Sequence, residues 1–512
     1  MSQPKPFIKK FKTRCNYYAY DVNTNLIVKL DEITYDLLDW FPFSSKQEIV
    51  EEFSHKFPPV QIKQGTAKLE ALAEQLGAFR PLQVRSRMRS PEFIRENVHK
   101  MIGHFEHLIL SVSEQCNMRC AYCAYSGGYV NIRVHNNSYM SWNVARKAID
   151  YFLANLGSQV GPQEIGFFGG EPLINFGLIR QCVEYTKSRN PNVGFGLTTN
   201  GTLLTDEITD FLSKNGIRIL VSLDGPKEIH DVDRIFVSGK GTFDKIIQNL
   251  KRLKENHPEY YSKKVRFWCT LSPFSDYQKV FNFFVSNTDL FLSPEKVGFG
   301  TITDGHEGYF SSRTADVIKR SLESRRKLYQ LFREKLIKGE TGDREFGFLQ
   351  TLFEKPYFNL HKRPINLDGW GEEYHFMTAC FPGHYRLFVN ADGAFQICEK
   401  SNDALIIGHI DSGLDIERIV NIYQKYHDLH NNECRSCWVH RFCKNCYVSS
   451  TCKTGNFEPT LDPQFCDNQR RFFETLLIDY CSILEENPHA FDYMNDIRSV
   501  GALIPVLQIP AD

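Results

Sequence analysis

The stretch SVSEQCNMRCAYCAYSGGY, residues 111–129, decides how the chain is read. Its three cysteines, Cys116, Cys120 and Cys123, stand in a CxxxCxxC spacing straight after an apolar run at 107–112. Three soft thiolates so close together suit zinc or an iron–sulfur cluster. A 4Fe-4S cluster normally takes four cysteines, and the next one along this chain is Cys182. A cluster on the triad would leave one iron without a protein ligand, open to a substrate or cofactor. The competing reading is packing, because positions i, i+4 and i+7 share a helical face and free cysteine is often buried.

Working outward, apolar runs at 107–112, 164–168, 194–198, 218–223, 265–271 and 296–301 alternate with helical periodicity at 142–156, 178–187, 205–214, 243–253 and 277–284. Serial βα units imply a parallel sheet with helices outside. Six strands rather than eight predict an open, partial barrel. Parallel barrels place their sites at strand C-termini, and motifs stand there. Gly169-Gly170-Glu171-Pro172 follows the second strand, Thr198-Thr199-Asn200-Gly201 the third, and Ser222-Leu223-Asp224-Gly225-Pro226 the fourth, with Arg234 downstream. Glycines allow close backbone approach, a carboxylate accepts from an ammonium group, and arginine clamps a carboxylate. Together they describe a pocket for a zwitterionic amino acid.

CxxxCxxC, GGEP, TTNG and SLDGP with a downstream arginine resemble the radical S-adenosylmethionine (radical SAM) superfamily over about residues 105–305. The resemblance implies that Cys116, Cys120 and Cys123 hold a 4Fe-4S cluster whose fourth iron binds S-adenosylmethionine. It implies that Gly169, Gly170 and Glu171 meet the methionine amine, that Ser222 and Arg234 hold its carboxylate, that Asn200 lines the site, and that Tyr122 lies near the adenine. A 5′-deoxyadenosyl radical abstracting hydrogen from substrate is the implied chemistry, with flavodoxin or ferredoxin as the implied type of electron donor.

A second cysteine group follows: Cys380, Cys398, Cys434, Cys437, Cys443, Cys446, Cys452 and Cys466. Eight cysteines could fill two 4Fe-4S clusters, while the two CxxC pairs equally have zinc-knuckle spacing. The order, with Gly393 ahead of Cys398, resembles the SPASM domain of peptide-modifying radical SAM enzymes. That resemblance implies an outer cluster on Cys434, Cys437, Cys443 and Cys466, and an inner one on Cys380, Cys398 and Cys446 with Cys452 as a fourth ligand or an open iron. Here two residues, Lys444 and Asn445, separate Cys443 from Cys446 where the family pattern has three. Glu399 matches the position of a proton acceptor in some relatives; the bland reading is an exposed loop charge. Trp438 and Phe442 are expected to shield a cluster from solvent. Cys15, Cys182, Cys269 and Cys481 read as packing.

Near the N-terminus, runs at 16–20 and 26–30 flank a turn-forming segment and predict a hairpin. Helices are expected after Asp31, after Ser44 or Ser45, and from about Val60 to a stop at Gly77. This winged-helix-like order, NYYAYDVNTNLIVKLDEITYDLLDWF, resembles domains that recognise leader peptides. An oligomerisation module is the alternative.

The expected organisation is a recognition domain at 1–85, a linker at 86–104, an α/β partial (β/α)6 TIM-type barrel at 105–310, a helical bridge at 311–369 that is irregular in its second half, a SPASM domain at 370–480 and a tail at 481–512. The chain has 512 residues and balances 61 basic against 61 acidic side chains, so charge argues for neither nucleic acid nor an anionic membrane. No run of roughly 18 apolar residues predicts a membrane span, and the start lacks a signal-peptide core. A cytoplasmic location is expected, where fifteen cysteines signify metal or redox chemistry rather than disulfides. The expected function is thioether or carbon–carbon crosslinking of a ribosomally made precursor peptide. A sulfatase-maturating, formylglycine-forming enzyme and a zinc-dependent winged-helix regulatory protein are the alternatives.

Overall fold

The computed structural model describes residues 5–81, 91–129, 133–157, 161–302, 308–310, 314–365, 379–450, 457–495 and 507–508. Strands β1 (Ile8–Lys12), β2 (Tyr17–Asp21) and β3 (Leu26–Leu30) precede helices α1 (Glu32–Leu37), α2 (Lys46–Phe53) and α3 (Pro59–Leu76). Side chains write the helix starts: Asp31 accepts from the Thr34 amide, and Ser45 with Glu48 forms a capping box. Gly77 ends α3 at φ 65°. Strand β1 has no counterpart in the sequence reading. Three of its five residues are lysine, and only antiparallel pairing with β2 makes it a strand. The sheet is buried on both faces. Ala19, Leu26, Val28 and Leu30 pack with the three helices, whereas Phe11, Tyr18, Tyr20 and Ile27 belong to the main core.

Helix α4 (Pro91–Met101) leads into β4 (Gly103–Ser113), α5 (Trp142–Ala154), β5 (Glu164–Gly169), α6 (Phe176–Arg189), β6 (Gly194–Thr199), α7 (Asp206–Lys214), β7 (Arg218–Ser222), α8 (Lys227–Asp233), α9 (Phe243–Asn256), α10 (Pro258–Lys264), β8 (Val265–Leu271), α11 (Tyr277–Ser286) and β9 (Val297–Thr301). Each neighbouring pair from β4 to β9 is parallel, the six-stranded partial barrel that the apolar runs predict. Along β8 the residues alternate, with Val265, Phe267, Cys269 and Leu271 buried and Arg266 and Trp268 exposed on the other face. One side of the sheet is thus covered by helices and the other left open.

Helices α12 (Ala315–Lys338) and α13 (Arg344–His361) follow. The second half of this bridge was expected to be irregular, and it is an 18-residue helix instead. Pro356 and Gly347 hide the periodicity, while Phe346, Leu349, Phe353, Tyr357 and Leu360 form a continuous buried stripe. Strands β10 (His384–Val389), β11 (Ala394–Gln396), β12 (Ile406–His409) and β13 (Gly413–Leu414) extend the barrel sheet, β10 pairing parallel with β4. Helix α14 (Ile416–Glu433) precedes the cysteine-rich loops, and α15 (Pro463–Glu486) runs through the boundary read at 480. A short strand, β14 (Leu507–Gln508), pairs with β3. Among the described residues no helix is long and apolar enough to cross a membrane.

Candidate functional site

The segment carrying Cys116, Cys120 and Cys123 is a loop, which removes the reading of three cysteines packed on one helical face. It leaves the C-terminal end of β4 and is held from two sides. On one side, the Gly170 amide donates to Ser113 O (2.8 Å) and the Glu171 amide to Gln115 O (2.9 Å). Gly169 sits at φ 154°, and a Cβ there would lie 2.0 Å from Ser113 O; at Gly170 it would lie 2.3 Å from Gln115 O. The two glycines therefore let the cysteine loop itself approach closely. On the other side, the Arg119 amide donates to Ile235 O (2.8 Å) and the Ala121 amide to Asp233 O (2.9 Å). This pairing puts Arg234 behind the triad.

Arg234 is buried and donates from Nη1 to Tyr122 Oη (2.9 Å), and Tyr122 donates in turn to Asp224. Asp224 also accepts from the Thr270 amide (2.9 Å). Burial pushes the Asp224 carboxyl and the Tyr122 hydroxyl up, while Arg234 opposes both shifts. Asp224, quoted in its motif but given no role by the sequence, is the pivot of this group. Arg234 Nε is buried without a hydrogen-bond partner. A buried donor in that condition points to an acceptor that arrives with a ligand.

Glu171 is fully buried. Its carboxylate accepts from Thr199 Oγ1 (2.8 Å), the Asn200 amide (2.7 Å) and the Leu173 amide (3.1 Å). Burial nevertheless raises its pKa to about 7. With its carboxylate so occupied, it orders the Thr199–Asn200 turn. Asn200 Nδ2 then donates to Asn117 Oδ1 (2.9 Å) and lies 3.9 Å from Cys116 Sγ. Ser222 ends β7, part-exposed.

Burial raises all three thiols, Cys116 to about 11 and Cys120 to about 12. Metal ligation requires thiolates, and Arg234, Arg133 and Arg119 each favour the anion at Cys123. Sequence reasoning missed Arg133 and His135, which carry no motif signal. Arg133 stacks over the Tyr125 ring (4.4 Å), with Nε and Nη2 buried and unpartnered. His135 Nε2 lies 3.5 Å from Cys123 Sγ. Cys120, Cys123, Tyr125 and His135 line a cavity of about 620 Å³. Three soft donors, surrounding arginines and orphaned guanidinium nitrogens fit an anionic cluster with a carboxylate-bearing partner.

Glu399 joins this loop to the C-terminal region, since its carbonyl accepts from Tyr125 Oη (2.8 Å). Its Oε2 stands 3.7 Å from Arg386 and is buried with no hydrogen bond. It lines a cavity of about 300 Å³ on the open sheet face with His107, Glu164, Arg218 and Arg266.

Farther out, Cys434, Cys437, Cys443 and Cys466 line one pocket together with His430, Val439 and His440. Burial pushes the Cys434 thiol up to about 12, and Cys437, Cys443 and Cys466 push the same way. Burial pushes the Cys398 thiol up to about 12, with Glu399, Cys446 and Cys380 adding to the shift. Cys452 lies outside the described residues. The buried Cys182, Cys269 and Cys481 stand apart from these groups, within the main core.

Residues 110–264 match the model of the radical SAM superfamily. An uncharacterized protein of Methanocaldococcus jannaschii is 39% identical over 142 residues, covering 27% of this chain and 46% of that protein. A cysteine-type anaerobic sulfatase-maturating enzyme of Clostridium novyi is 33% identical over 161 residues, covering 30% and 41%. The chain thus spans less than half the length of these curated relatives. The solved structure of native anSMEcpe with bound AdoMet and Cp18Cys peptide superimposes with a TM-score of 0.51 at 20% identity, over 77% of this chain and 99% of that one. Such a likeness shows a shared fold. The match spans the cysteine triad and every strand-end motif, and the zinc-dependent regulatory alternative falls with it: the chain carries a radical SAM domain.

Proposed function

We propose that the chain is a radical SAM maturase that installs a thioether or carbon–carbon crosslink in a ribosomally made precursor peptide. The observation that carries this reading is the placement of Cys116, Cys120 and Cys123 at the strand ends beside buried Arg234, whose Nε has no partner. In this reading the three thiolates hold a 4Fe-4S cluster, and Arg234 with Ser222 takes the carboxylate of S-adenosylmethionine. When bound, cluster and cofactor supply a 5′-deoxyadenosyl radical that takes hydrogen from substrate.

The chain's own residues bind and orient. Tyr122 and Asp224 hold the guanidinium of Arg234 through Nη1, which leaves Nε without a partner. Glu171 acts as a positioning residue through Asn200. Tyr125 ties the triad loop to Glu399, the candidate proton acceptor, a residue that lines the open-face cavity. Residues 1–85 are the proposed leader-recognition domain, residues 105–310 the barrel, and residues 370–480 a SPASM domain with two auxiliary 4Fe-4S clusters. The outer set is Cys434, Cys437, Cys443 and Cys466; the inner set is Cys380, Cys398 and Cys446, with Cys452 in question. Crosslinking is a net oxidation, and auxiliary clusters would take the electron left on the substrate.

Anaerobic reconstitution tests the reading. About twelve irons per chain are expected, with cleavage of S-adenosylmethionine to 5′-deoxyadenosine. A short peptide encoded next to this chain should lose two hydrogens in mass. Absence of cofactor cleavage by a fully loaded protein overturns it. A second reading, oxidation of a cysteine or serine in a sulfatase, is favoured by the 33% identical relative. Formylglycine in a sulfatase-derived peptide, with no crosslink in the neighbouring peptide, would establish that reading instead.

A further inference from the structure

We propose that the N-terminal unit braces the loop that walls the outer four-cysteine site, and that Arg441 is the positioning residue that holds this loop in place. The segment between Cys437 and Cys443 reads Trp438-Val439-His440-Arg441-Phe442. Val439 turns inward, buried, and lines the cysteine pocket. The other four side chains all touch the N-terminal unit. Trp438 meets the Tyr20 ring edge-on (6.4 Å) and lies under Lys9 Nζ (5.4 Å). His440, which also lines the pocket, stacks on Phe7 at 5.8 Å and 9°. Phe442 packs on Tyr20 at 5.5 Å. Arg441 donates from Nε to Val22 O (2.8 Å) and from Nη2 to Asn23 O (2.6 Å), gripping the turn that joins β2 to β3.

One loop therefore has two linings. Its cysteines and Val439 line the pocket, Trp438, Arg441 and Phe442 meet a domain more than 400 positions away in sequence, and His440 touches both. Charge-assisted hydrogen bonds to two backbone carbonyls are directional, so they fix the loop's height over the pocket. The three ring pairs, one stacked, one edge-on and one tilted, put apolar surface along the same seam. Further contacts keep the brace from sliding: Tyr18 Oη and Thr13 Oγ1 both donate to Glu485 Oε1, and Lys9 pairs with Glu474. The role for this unit is to seal the outer site, besides any peptide it binds. The proposal rests on the auxiliary-cluster reading for the identity of what is sealed; the sealing of the thiols rests on the contacts alone.

The test uses the full-length reconstituted chain, challenged anaerobically with an iron chelator and pulsed with iodoacetamide. Alkylation is followed cysteine by cysteine by mass spectrometry. In Arg441→Ala, Cys437 and Cys443 should be alkylated about tenfold faster, since two charge-assisted bonds are lost. Cys116, Cys120 and Cys123 should keep their wild-type rate. Arg441→Lys, which can restore one bond, should fall between. Phe7→Ala, far from the cysteines in sequence, should open the same two thiols. Equal acceleration at both cysteine groups would mean general destabilisation and would overturn the proposal, as would unchanged rates in both Arg441→Ala and Phe7→Ala. Iron content separates the two layers of argument. If the wild type binds iron at the triad alone, the auxiliary-cluster reading fails, while the alkylation ratios still decide whether the wall exists.

Discussion

The triad loop and the outer cysteine pocket solve one problem, gathering thiols, in opposite ways. Cys116, Cys120 and Cys123 are gathered by sequence: eight residues of chain carry them, and the fold only fixes what surrounds them. Their supports come from strand ends, with Gly170 and Glu171 after β5, Asn200 after β6 and Asp224 after β7. Cys434, Cys437, Cys443 and Cys466 are gathered by tertiary structure. The last of them stands on α15, and the loop that holds two others leans on the N-terminal sheet. A rigid parallel sheet can carry a site on short loops, whereas the outer pocket, set between α14 and α15, takes two of its thiols from a loop that a second domain braces.

The sharpest way to break this comparison is to remove thiols from each site in turn. A Cys116→Ala, Cys120→Ala, Cys123→Ala variant should lose S-adenosylmethionine cleavage to background, with about eight irons retained. Cleavage above background, read as 5′-deoxyadenosine by chromatography, contradicts the assignment of the triad. A Cys434→Ala, Cys437→Ala variant should do the reverse. Deoxyadenosine formation persists, crosslinking of the peptide is lost, and iron falls by about four per chain. Undiminished crosslinking would remove the outer site from the reaction.

A third variant asks whether the triad loop is held as tightly as its contacts imply. In Gly170→Ala the new Cβ meets backbone, Gln115 O at 2.3 Å and Gln115 C at 2.6 Å, which cannot swing aside. Loss of roughly 3 kcal/mol is expected, read from denaturant unfolding of the metal-free chain. A cost under about 0.5 kcal/mol, the scale of a neutral surface change, would show a loop free to move.

A pH-dependent effect of at most similar size concerns Glu171. Its folded pKa is raised by burial to about 7, above the ordinary glutamate value of 4.5. A carboxyl raised on folding contributes stability that is fully present below the unfolded value and lost as pH climbs through the folded one. The metal-free wild type should thus lose stability between about pH 4.5 and 7, by roughly 3 kcal/mol at most. Glu171→Gln should show a flatter profile over that window. Parallel profiles would mean that the three donors to Glu171 outweigh its desolvation.

Much of this was legible beforehand, for identifiable reasons. The six parallel strands could be read because a strand with one face under helices buries an apolar side chain at about every second position, and turn residues punctuate the strands. The helix caps at Asp31 and Ser45 were legible because capping is a local contact. Strand β1 was not, because its strand character comes from pairing with β2 and its lysines conceal it. Helix α13 was misread because Pro356 is a strong local signal against helix, while the buried stripe that overrides it acts only once packed. Arg133 and His135 escaped notice because single residues carry no pattern until folding sets them beside Tyr125 and Cys123.

By itself, the sequence determined the chemistry on offer: which residues are thiols, how the triad is spaced, and which motifs end the strands. Those properties are local, and a short window of chain contains them. Tertiary structure alone decided how they are used. It turned Glu171 into the anchor of Asn200 and spent Gly169 and Gly170 on a backbone approach. It also joined β10 to β4 and set the N-terminal sheet against the outer cysteine loop. Those outcomes depend on contacts between residues far apart in the chain, whose partners exist only once the core has closed.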